Sequence, residues 1–410
     1  MVFRFLILIT CWLIIDVYVF QSVKSITSNT LFYWIYWVLD ILIIVLILYF
    51  ALSGKFANGP SKYTSWIMGI MMVILVPKIV VLPFLFIDDL LRIIQFLVQH
   101  SIRLFSNNNS VIDFASRRKI ISQIALGIAA VPFFSTIYGI LKGKYDYRVH
   151  KVSLYFKDLP SAFDGFKLVQ LSDIHAGSFD NRDAVQKGIR LTNAQQGDLF
   201  LFTGDLVNNK AEEMYPWIED FKQLKGKYGS FSILGNHDYG DYIKWENESE
   251  KSENLEKLKV VHKKLGYHLM LNETIYIEKE GAKIALIGVE NWGKKGFVKH
   301  GDLDKAVESV DNNLFKILLS HDPSHWEAVT LNHDKFIHLT LSGHTHGMQF
   351  GIEIPGFKWS PSQYIYKQWA GLYKHAEKYI YVNRGFGFLG FPGRVGILPE
   401  ITVIELRKKS

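Results

Sequence analysis

Hydrophobic and polar positions divide this chain into two parts with different patterns. Before residue 145 the apolar residues form four long stretches, whereas later they form runs of four to six residues separated by charged segments. A helix needs about 20 apolar residues to cross a bilayer, and short runs rich in β-branched and aromatic residues are typical of buried strands. The pattern predicts membrane-spanning helices followed by an α/β domain.

The four long stretches cover residues 3–20, 31–52, 65–87 and 120–141. The second is the clearest because Asp40 is its only charge, while Pro77, Lys78 and Pro83 interrupt the third. Proline is tolerated in membrane helices when neighbouring groups satisfy the freed carbonyls. We therefore predict that residues 1–145 form an all-α transmembrane region with about four helices. A large apolar soluble domain is the alternative, but such a domain does not need four long apolar runs.

Charge follows the same division. The net charge is +7, and residues 1–145 account for it with 12 Lys+Arg against 5 Asp+Glu, while residues 146–410 hold 34 of each. Basic residues beside membrane helices are typical of headgroup attraction and orientation signals, so we predict a membrane partner and no nucleic-acid partner. The only cysteine, Cys11, excludes a disulfide framework or a cysteine-based zinc site within one chain.

The membrane side of the second part is harder to predict, because six basic residues flank the predicted helices on each side. One motif favours export: residues 116–119 contain Arg117 and Arg118 before an apolar stretch, which resembles a twin-arginine export signal. A plain basic flank of the fourth helix is the alternative. We predict a multi-pass protein of a bacterial inner membrane, with a slight preference for an exported catalytic domain.

Residues 146–410 are predicted to form one domain in which strand-like runs alternate with charged helical segments. Five runs, at 167–171, 199–202, 231–234, 315–319 and 336–341, are each followed by a polar motif. The motifs contain the metal-binding residue types Asp173, His175, Asp205, Asn236, His321, His344 and His346. Parallel strands collect chemistry at their carboxyl ends, so the motifs predict one convergent site for two metal ions.

The residue types constrain the chemistry of this site. Asp205 is the only acid of its motif and follows a glycine in a tight turn, so we predict that it bridges the two ions. Carboxylate, amide and imidazole ligands without sulfur suit Mn, Fe or Zn, and the sequence does not choose among these metals.

The five motifs, in this order, resemble those of the calcineurin-like metallophosphoesterase superfamily over residues 166–406. The stretches 381–387 and 399–403 are similar to its membrane-associated or twin-arginine-exported bacterial branch. One departure is Met348, where that branch usually has a second glycine. The resemblance implies a two-sheet β-sandwich flanked by helices, with a dinuclear metal centre.

The resemblance also implies a role for each site residue. One ion would be held by Asp173, His175, Asp205 and His346, and the other by Asp205, Asn236, His321 and His344. His237 would face the phosphate and protonate the leaving group, and Asp238 would orient the ring of His237. The two ions would activate water for in-line attack on phosphorus.

These observations predict a membrane-anchored hydrolase of a phosphoester or pyrophosphate bond in a small molecule or lipid, such as a UDP-sugar lipid. The apolar loop 386–393 would touch the bilayer or guide an acyl chain, or else pack on the core. Arg384 would bind substrate phosphate or serve a structural role. The alternative function is a membrane sensor or scaffold with a non-catalytic phosphoesterase domain. A transporter is disfavoured because only Asp16, Asp40 and Lys78 are ionisable within the spans. The oligomeric state stays open.

Overall fold

The computed structural model of the chain describes residues 2–53, 62–105, 114–294, 296 and 299–409. These residues form two compact units. Among the described residues, the first unit contains 2–53, 63–105 and 114–138, and the second contains 62, 139–294, 296 and 299–409. The last turn of the fourth helix therefore belongs to the second unit. The sequence-based boundary between residues 145 and 146 stays a prediction.

The regular secondary structure in the described part of the first unit is α-helical. Its helices are α1 (Val2–Ile26), α2 (Thr30–Leu52), α3 (Lys62–Phe105) and α4 (Phe114–Leu141). All four are long and apolar enough to cross a membrane. Helix α3 continues through Pro77 and Pro83, so the third predicted span is extended rather than broken. Long apolar side chains cover the outer faces of these helices, as lipid-facing surfaces require.

The ionisable residues inside the predicted spans meet in one cluster. Lys78 Nζ lies 2.7 Å from Asp16 Oδ1 and 2.5 Å from Asp40 Oδ1. The side chains are 9%, 0% and 2% exposed, respectively, and the Tyr36 ring lies 4.6 Å from the same ammonium group. Charges that are costly in lipid are thus paired with one another inside the helical unit. We call these three charged residues the lysine triad.

The paired arginines that resemble an export signal also make ion pairs within the first unit. Arg117 Nε lies 3.0 Å from Asp88 Oδ1, and Arg118 Nη1 lies 3.0 Å from Asp88 Oδ2 and 2.6 Å from Asp89 Oδ1. Asp88 is fully buried. These contacts give both arginines a role in helix packing, which favours a basic flank over an export signal. Export of the catalytic domain stays a prediction.

The second unit contains two six-stranded mixed sheets flanked by helices. The strands of the first sheet, in spatial order, are β1 (Arg148–Phe156), β14 (Glu400–Lys408), β2 (Phe166–Leu171), β3 (Leu199–Phe202), β4 (Ser230–Ser232) and β5 (His268–Leu269). Those of the second sheet are β12 (Gly371–His375), β13 (Lys378–Val382), β9 (Leu339–Ser342), β8 (Lys316–Leu319), β7 (Ala282–Gly288) and β6 (Glu273–Lys279). This architecture confirms the predicted two-sheet fold with flanking helices.

The apolar runs form strands because their side chains are buried on both faces of the sheets. Leu201 from β3 and Ile317 from β8 belong to one apolar cluster with residues of both sheets. On the outer face of the first sheet, Phe200 and Phe202 pack with α5 (Arg182–Asn193), α6 (Ile218–Phe221) and α7 (Glu248–Leu265). The fifth predicted run becomes a strand only from Leu339 onward. Neighbouring strands β2, β3 and β4 are parallel, as are β7, β8 and β9, so their carboxyl ends share one edge.

Candidate metal centre

The loops that follow β2, β3, β4, β8 and β9 bring the seven predicted ligands together. One group contains Asp173, His175 and His346, whose potential ligand atoms all lie within 4.8 Å of one another. In this group His175 Nε2 lies 3.0 Å from His346 Nε2, and His346 Nε2 lies 3.3 Å from Asp173 Oδ1. Three buried donor atoms therefore face a common point.

A second group lies beside the first. It contains Asp205, His321 and His344, again within 4.8 Å of one another. His321 Nε2 lies 3.1 Å from the side-chain oxygen of Asn236, and His344 Nδ1 lies 2.8 Å from that same oxygen. The neutral side-chain oxygen of Asn236 thus lies beside both histidines of this group, and its role as a metal ligand stays a prediction.

Asp205 touches both groups. Its Oδ2 atom lies 3.1 Å from His321 Nε2 in the second group and 3.6 Å from His175 Nε2 in the first. The other carboxylate oxygen, Oδ1, accepts a hydrogen bond of 2.8 Å from the backbone N–H of His237. One carboxylate therefore has its position fixed by the backbone and a second oxygen available between two groups of donors.

The distances between donor atoms fit metal coordination. Ligand atoms that are about 2.1 Å from a shared ion lie about 3.0–3.4 Å from each other in tetrahedral or octahedral geometry. The separations of 3.0, 3.1 and 3.3 Å within the two groups match that spacing. The two clusters are consistent with a dinuclear metal site.

The local backbone of the site is strained. Non-glycine residues in the left-handed region include the predicted ligands Asp173, His175, Asp205, His344 and His346, with φ between 48° and 71°. Each costs about 1 kcal/mol, which packing must offset. Two glycines permit the close approach of the loops. A Cβ atom at Gly343 would lie 1.9 Å from Ser172 Oγ, and one at Gly235 would lie 2.2 Å from Asp205 Oδ1.

Comparisons with known proteins agree with this geometry. A family model described as calcineurin-like phosphoesterase matches residues 166–348, and one described as the transmembrane domain of probable calcineurin-like phosphoesterases matches residues 3–144. The uncharacterized metallophosphoesterase YkuE of Bacillus subtilis is 30% identical over 261 residues, covering 62% of this chain and 82% of the relative. A transmembrane protein with metallophosphoesterase domain from Danio rerio is 29% identical over 337 residues, covering 80% of this chain and 71% of the relative.

The chain belongs to the calcineurin-like metallophosphoesterases. It is a multi-pass membrane protein of this family with four N-terminal helices, as predicted. Its membership in the twin-arginine-exported branch stays a prediction, and so does the side of the membrane on which the metallophosphoesterase unit lies.

His237 lies at the edge of the two ligand groups of this metallophosphoesterase and is only partly buried. Its ring stacks on Tyr242 with 4.3 Å between ring centroids and meets His175 edge-on at 4.9 Å. Its Nδ1 atom lies 2.8 Å from the carbonyl oxygen of Asn208, which fixes the ring orientation. The predicted role of Asp238 as the residue that orients this ring is therefore wrong, because the Asn208 carbonyl occupies that position.

Asp238 instead holds the backbone of the metal-binding loops. Its Oδ2 atom accepts hydrogen bonds of 2.9 Å from the N–H groups of Asp205 and Gly235, and its Oδ1 atom accepts 2.8 Å and 3.3 Å bonds from those of Leu206 and Val207. Asp238 is fully buried. Burial and the neighbouring Asp205 carboxylate raise its pKa to about 7, while the backbone N–H groups oppose that shift.

The charges within the centre are strongly linked. Burial by itself would raise the pKa of the Asp205 carboxyl, but the His321 and His237 rings hold that pKa well below its ordinary value. Burial likewise opposes protonation of His321, yet Asp205 raises the pKa of this histidine to about 10. Both shifts show that the carboxylate strongly favours a neighbouring positive charge.

Three residues of the site were missed by sequence reasoning. Tyr366 Oη lies 2.8 Å from His344 Nε2, and Arg394 Nη2 lies 3.1 Å from His346 Nδ1. Glu213 accepts hydrogen bonds from the backbone N–H groups of Asn208, at 2.6 Å, and of the two following residues, so it orders the loop that holds His237. No spacing signal marks these residues, because each reaches the site through tertiary contacts.

Two further expectations are decided by packing. Arg384 is buried in ion pairs with Glu353 and Glu400, both at 2.5 Å, so it has the structural role and not the phosphate-binding one. In the loop 386–393, Phe386 and Phe388 belong to the core of the metallophosphoesterase unit. The hypothesis that this loop touches the bilayer or guides an acyl chain is therefore wrong for Phe386 and Phe388, which pack on the core.

Proposed function

We propose that this protein is a membrane-anchored hydrolase that cleaves a phosphoester or pyrophosphate bond with two divalent metal ions. In this proposal Asp173, His175, Asp205 and His346 hold one ion, and Asp205, Asn236, His321 and His344 hold the other. The observation that carries the proposal is the position of Asp205, whose Oδ2 atom lies within 3.6 Å of a histidine from each group. A shared carboxylate is what two neighbouring cations need to offset their repulsion.

When bound, such ions supply Lewis-acid polarisation of the phosphoryl oxygens and a water molecule activated for attack. The protein itself supplies orientation and proton transfer. His237 is partly exposed beside the ligand groups, and the Asn208 carbonyl accepts a hydrogen bond from its Nδ1–H group. This tautomer leaves Nε2 as the atom that faces substrate. We propose that His237, when Nε2 also carries a proton, binds the phosphate there and transfers that proton to the leaving oxygen, which leaves the neutral ring with its Nδ1–H.

The substrate class follows from the anchor and the donor set. Four membrane helices keep the hydrolase at a bilayer, where a lipid-borne phosphate is abundant. The UDP-sugar lipid named from the family resemblance stays a prediction within that class. Nitrogen and oxygen ligands without sulfur support Mn, Fe or Zn as the metal. A non-catalytic sensor is the alternative function, but it has no need for seven donors in coordinating positions.

The decisive experiment uses the full-length protein in lipid nanodiscs, loaded separately with Mn²⁺, Fe²⁺ or Zn²⁺. Bound metal is measured by mass spectrometry, and turnover is measured on a phosphomonoester, a phosphodiester and a lipid pyrophosphate. We expect about two ions per chain and hydrolysis of at least one substrate class. Asp205→Asn should lose metal and reduce turnover by about a thousandfold, because it weakens both ligand groups.

A matched control is Asp241→Asn, which neutralises an exposed carboxylate of the same unit and should leave metal content and turnover unchanged. If Asp205→Asn kept both its metal and its turnover, the proposed centre would be wrong. If the unmodified protein bound metal but hydrolysed no phosphate ester, while Asp205→Asn kept its cellular phenotype, the sensor function would replace the hydrolase.

A further inference from the structure

A two-stranded ribbon follows the last metal-binding motif. Its polar face is turned toward the protein and its apolar face is exposed, which is the reverse of a ribbon in water. It consists of β10 (Ile352–Ile354) and β11 (Phe357–Trp359), which pair antiparallel. Ile352 pairs with Trp359 and Ile354 pairs with Phe357, so these four side chains share one face. Glu353 and Lys358 pair on the other face.

The polar face of the ribbon is turned toward the protein. The Glu353 carboxylate binds Arg384 through two hydrogen bonds, of 2.5 and 2.9 Å. The Lys358 ammonium donates to the carbonyl oxygen of Ala370 and lies 4.8 Å from the centre of the Trp369 ring. These contacts fix which side of the ribbon faces outward, since both polar residues bind to other residues of the protein.

The apolar face is turned away from the protein. Ile352, Ile354 and Phe357 are 48%, 58% and 53% exposed, and the following loop adds Tyr364 and Ile365 with 75% and 51% exposure. A ribbon in water normally presents its charged residues to solvent and its apolar residues to the core. Contiguous exposed apolar side chains of this kind mark a surface that another apolar phase covers.

The chain itself indicates which apolar phase is near. Helix α4 is a candidate membrane span that ends at Leu141, and its last turn, from Gly139, belongs to the second unit. The Gly139 carbonyl accepts a 3.1 Å hydrogen bond from the Arg394 N–H. The next residue, Val395, makes two backbone hydrogen bonds just before β10. Its N–H donates to the Gln349 carbonyl at 2.8 Å, and its carbonyl accepts from the Gly351 N–H at 2.9 Å. The end of a span lies at the bilayer surface, so the ribbon is attached close to that surface.

The same segment is attached to the metal centre. The ribbon lies between the predicted ligand His346 and Tyr366, whose hydroxyl is 2.8 Å from His344 Nε2. The Ser360 hydroxyl, just after β11, donates a 2.7 Å hydrogen bond to the Gly347 carbonyl. A lipid that meets the ribbon therefore meets a segment with both ends tied to the ligand loops.

We propose that the β10–β11 ribbon inserts its apolar face into the bilayer surface and that it admits phosphate esters carried by membrane lipids to the metal centre. The docking half of this inference depends only on the ribbon and the span. The substrate half rests on the proposed hydrolase function. Exposed aromatic and branched apolar side chains are typical of interfacial membrane contacts.

Docking is tested by fluorescence in nanodiscs. A bimane label is placed at Ile354→Cys in a Cys11→Ser background, since Cys11 is exposed. A nitroxide carried by phospholipid just below the headgroup should quench this label strongly, and a water-soluble quencher should reach it poorly. The matched control is Val260→Cys on α7, which is 51% exposed and should show the opposite pattern. An Ile354 label that lipid nitroxide leaves unquenched overturns the bilayer as the occupant, in favour of a protein partner or a second copy.

The substrate half is tested by turnover. We expect Ile354→Ser with Phe357→Ser to reduce hydrolysis of a lipid pyrophosphate in nanodiscs by about tenfold or more, because two interfacial apolar contacts are lost. Hydrolysis of a soluble chromogenic ester should stay unchanged. Ile354→Leu with Phe357→Leu should keep both activities, and Tyr215→Ser with Val260→Ser, at similarly exposed positions, should also keep both.

The outcomes separate this inference from the hydrolase proposal. Unchanged lipid turnover in the serine variant, or an equal loss on both substrates, overturns the substrate half. If the unmodified protein hydrolyses neither substrate, the proposed function is wrong, and the substrate half of this inference is wrong as well. The quenching result still decides the docking half, because it requires no catalysis.

Discussion

The lysine triad of the membrane unit and the candidate metal centre both bury carboxylates, but they neutralise them differently. In the triad the chain supplies its own cation, since Lys78 Nζ lies within 2.7 Å of both Asp16 and Asp40. In the metal centre, Asp173 and Asp205 pair with histidines among the described residues. A histidine that binds a metal ion is neutral, so in the proposed metal-loaded centre the positive charge would come from the bound ions and not from the chain.

A third cluster shows that the membrane is not the reason for this difference. Arg384 and Glu400 form a buried ion pair of 2.5 Å in the same unit as the metal centre. Tyr381 and Thr402 each donate a 2.6 Å hydrogen bond to Glu400 Oε1. A buried carboxylate with an arginine or lysine of the chain is structural in both units. A buried carboxylate surrounded by lone-pair donors is a candidate metal site.

The largest effect on the structural side is expected for Lys78→Met. This change leaves two buried carboxylates without their cation, so we expect a loss of about 3 kcal/mol or more in stability of the helical unit. Thermal unfolding in nanodiscs measures the loss, and bound metal should not change. Lys24→Met, at an exposed position of α1, is the control. Adding Asp16→Asn and Asp40→Asn should restore much of the stability. If the midpoint of thermal unfolding did not change in Lys78→Met, the lysine would not be the cation that stabilises the two carboxylates.

A comparable effect with a defined pH dependence is expected for Glu400→Gln. Burial opposes ionisation of Glu400, but Arg384 and the hydrogen bonds lower its pKa from 4.5 to about 2. The folded pKa is depressed, so the stabilisation is complete above pH 4.5 and is lost as the pH falls toward 2. We expect Glu400→Gln to cost about 3 kcal/mol at pH 7 and much less near pH 3.

The measurement is chemical unfolding of both proteins after chelation, so that release of metal in acid does not contribute. Glu405→Gln, a partly exposed glutamate on the same strand, serves as the control. An equal cost at pH 7 and pH 3 would show that the carboxylate charge is not what Arg384 requires.

The smallest expected effect concerns Asp238→Asn. The amide would present N–H groups to some of the four backbone N–H donors that the carboxylate now satisfies. The loop that carries Asp205 should then loosen, and metal affinity should weaken by about 10- to 100-fold. Calorimetric titration with the metal ion measures this affinity, and Asp241→Asn is the control. Unchanged affinity would mean that the ligand groups do not depend on this support.

The sequence by itself predicted the features that depend on local pattern. Long apolar stretches are sufficient to predict the four helices, because a bilayer selects for length and hydropathy alone. The short runs predicted β2, β3 and β8 closely, and the motifs after them predicted which residues converge, since carboxyl ends of neighbouring parallel strands share one edge. The fifth strand was predicted too early, because Phe336 precedes the residues that pair in the sheet.

Only the tertiary structure decided which partner each polar group meets. In the folded protein the Asp238 carboxylate accepts hydrogen bonds from backbone N–H groups, and the Asn208 carbonyl accepts the hydrogen bond of the His237 ring. The tertiary structure also gathered Asp16, Asp40 and Lys78, from three different helices, into one triad. The apolar residues of the β10–β11 ribbon face outward because Glu353 is held by Arg384, 31 positions away. Such pairings join residues that are far apart in the chain, so the local periodicity of the sequence does not predict them.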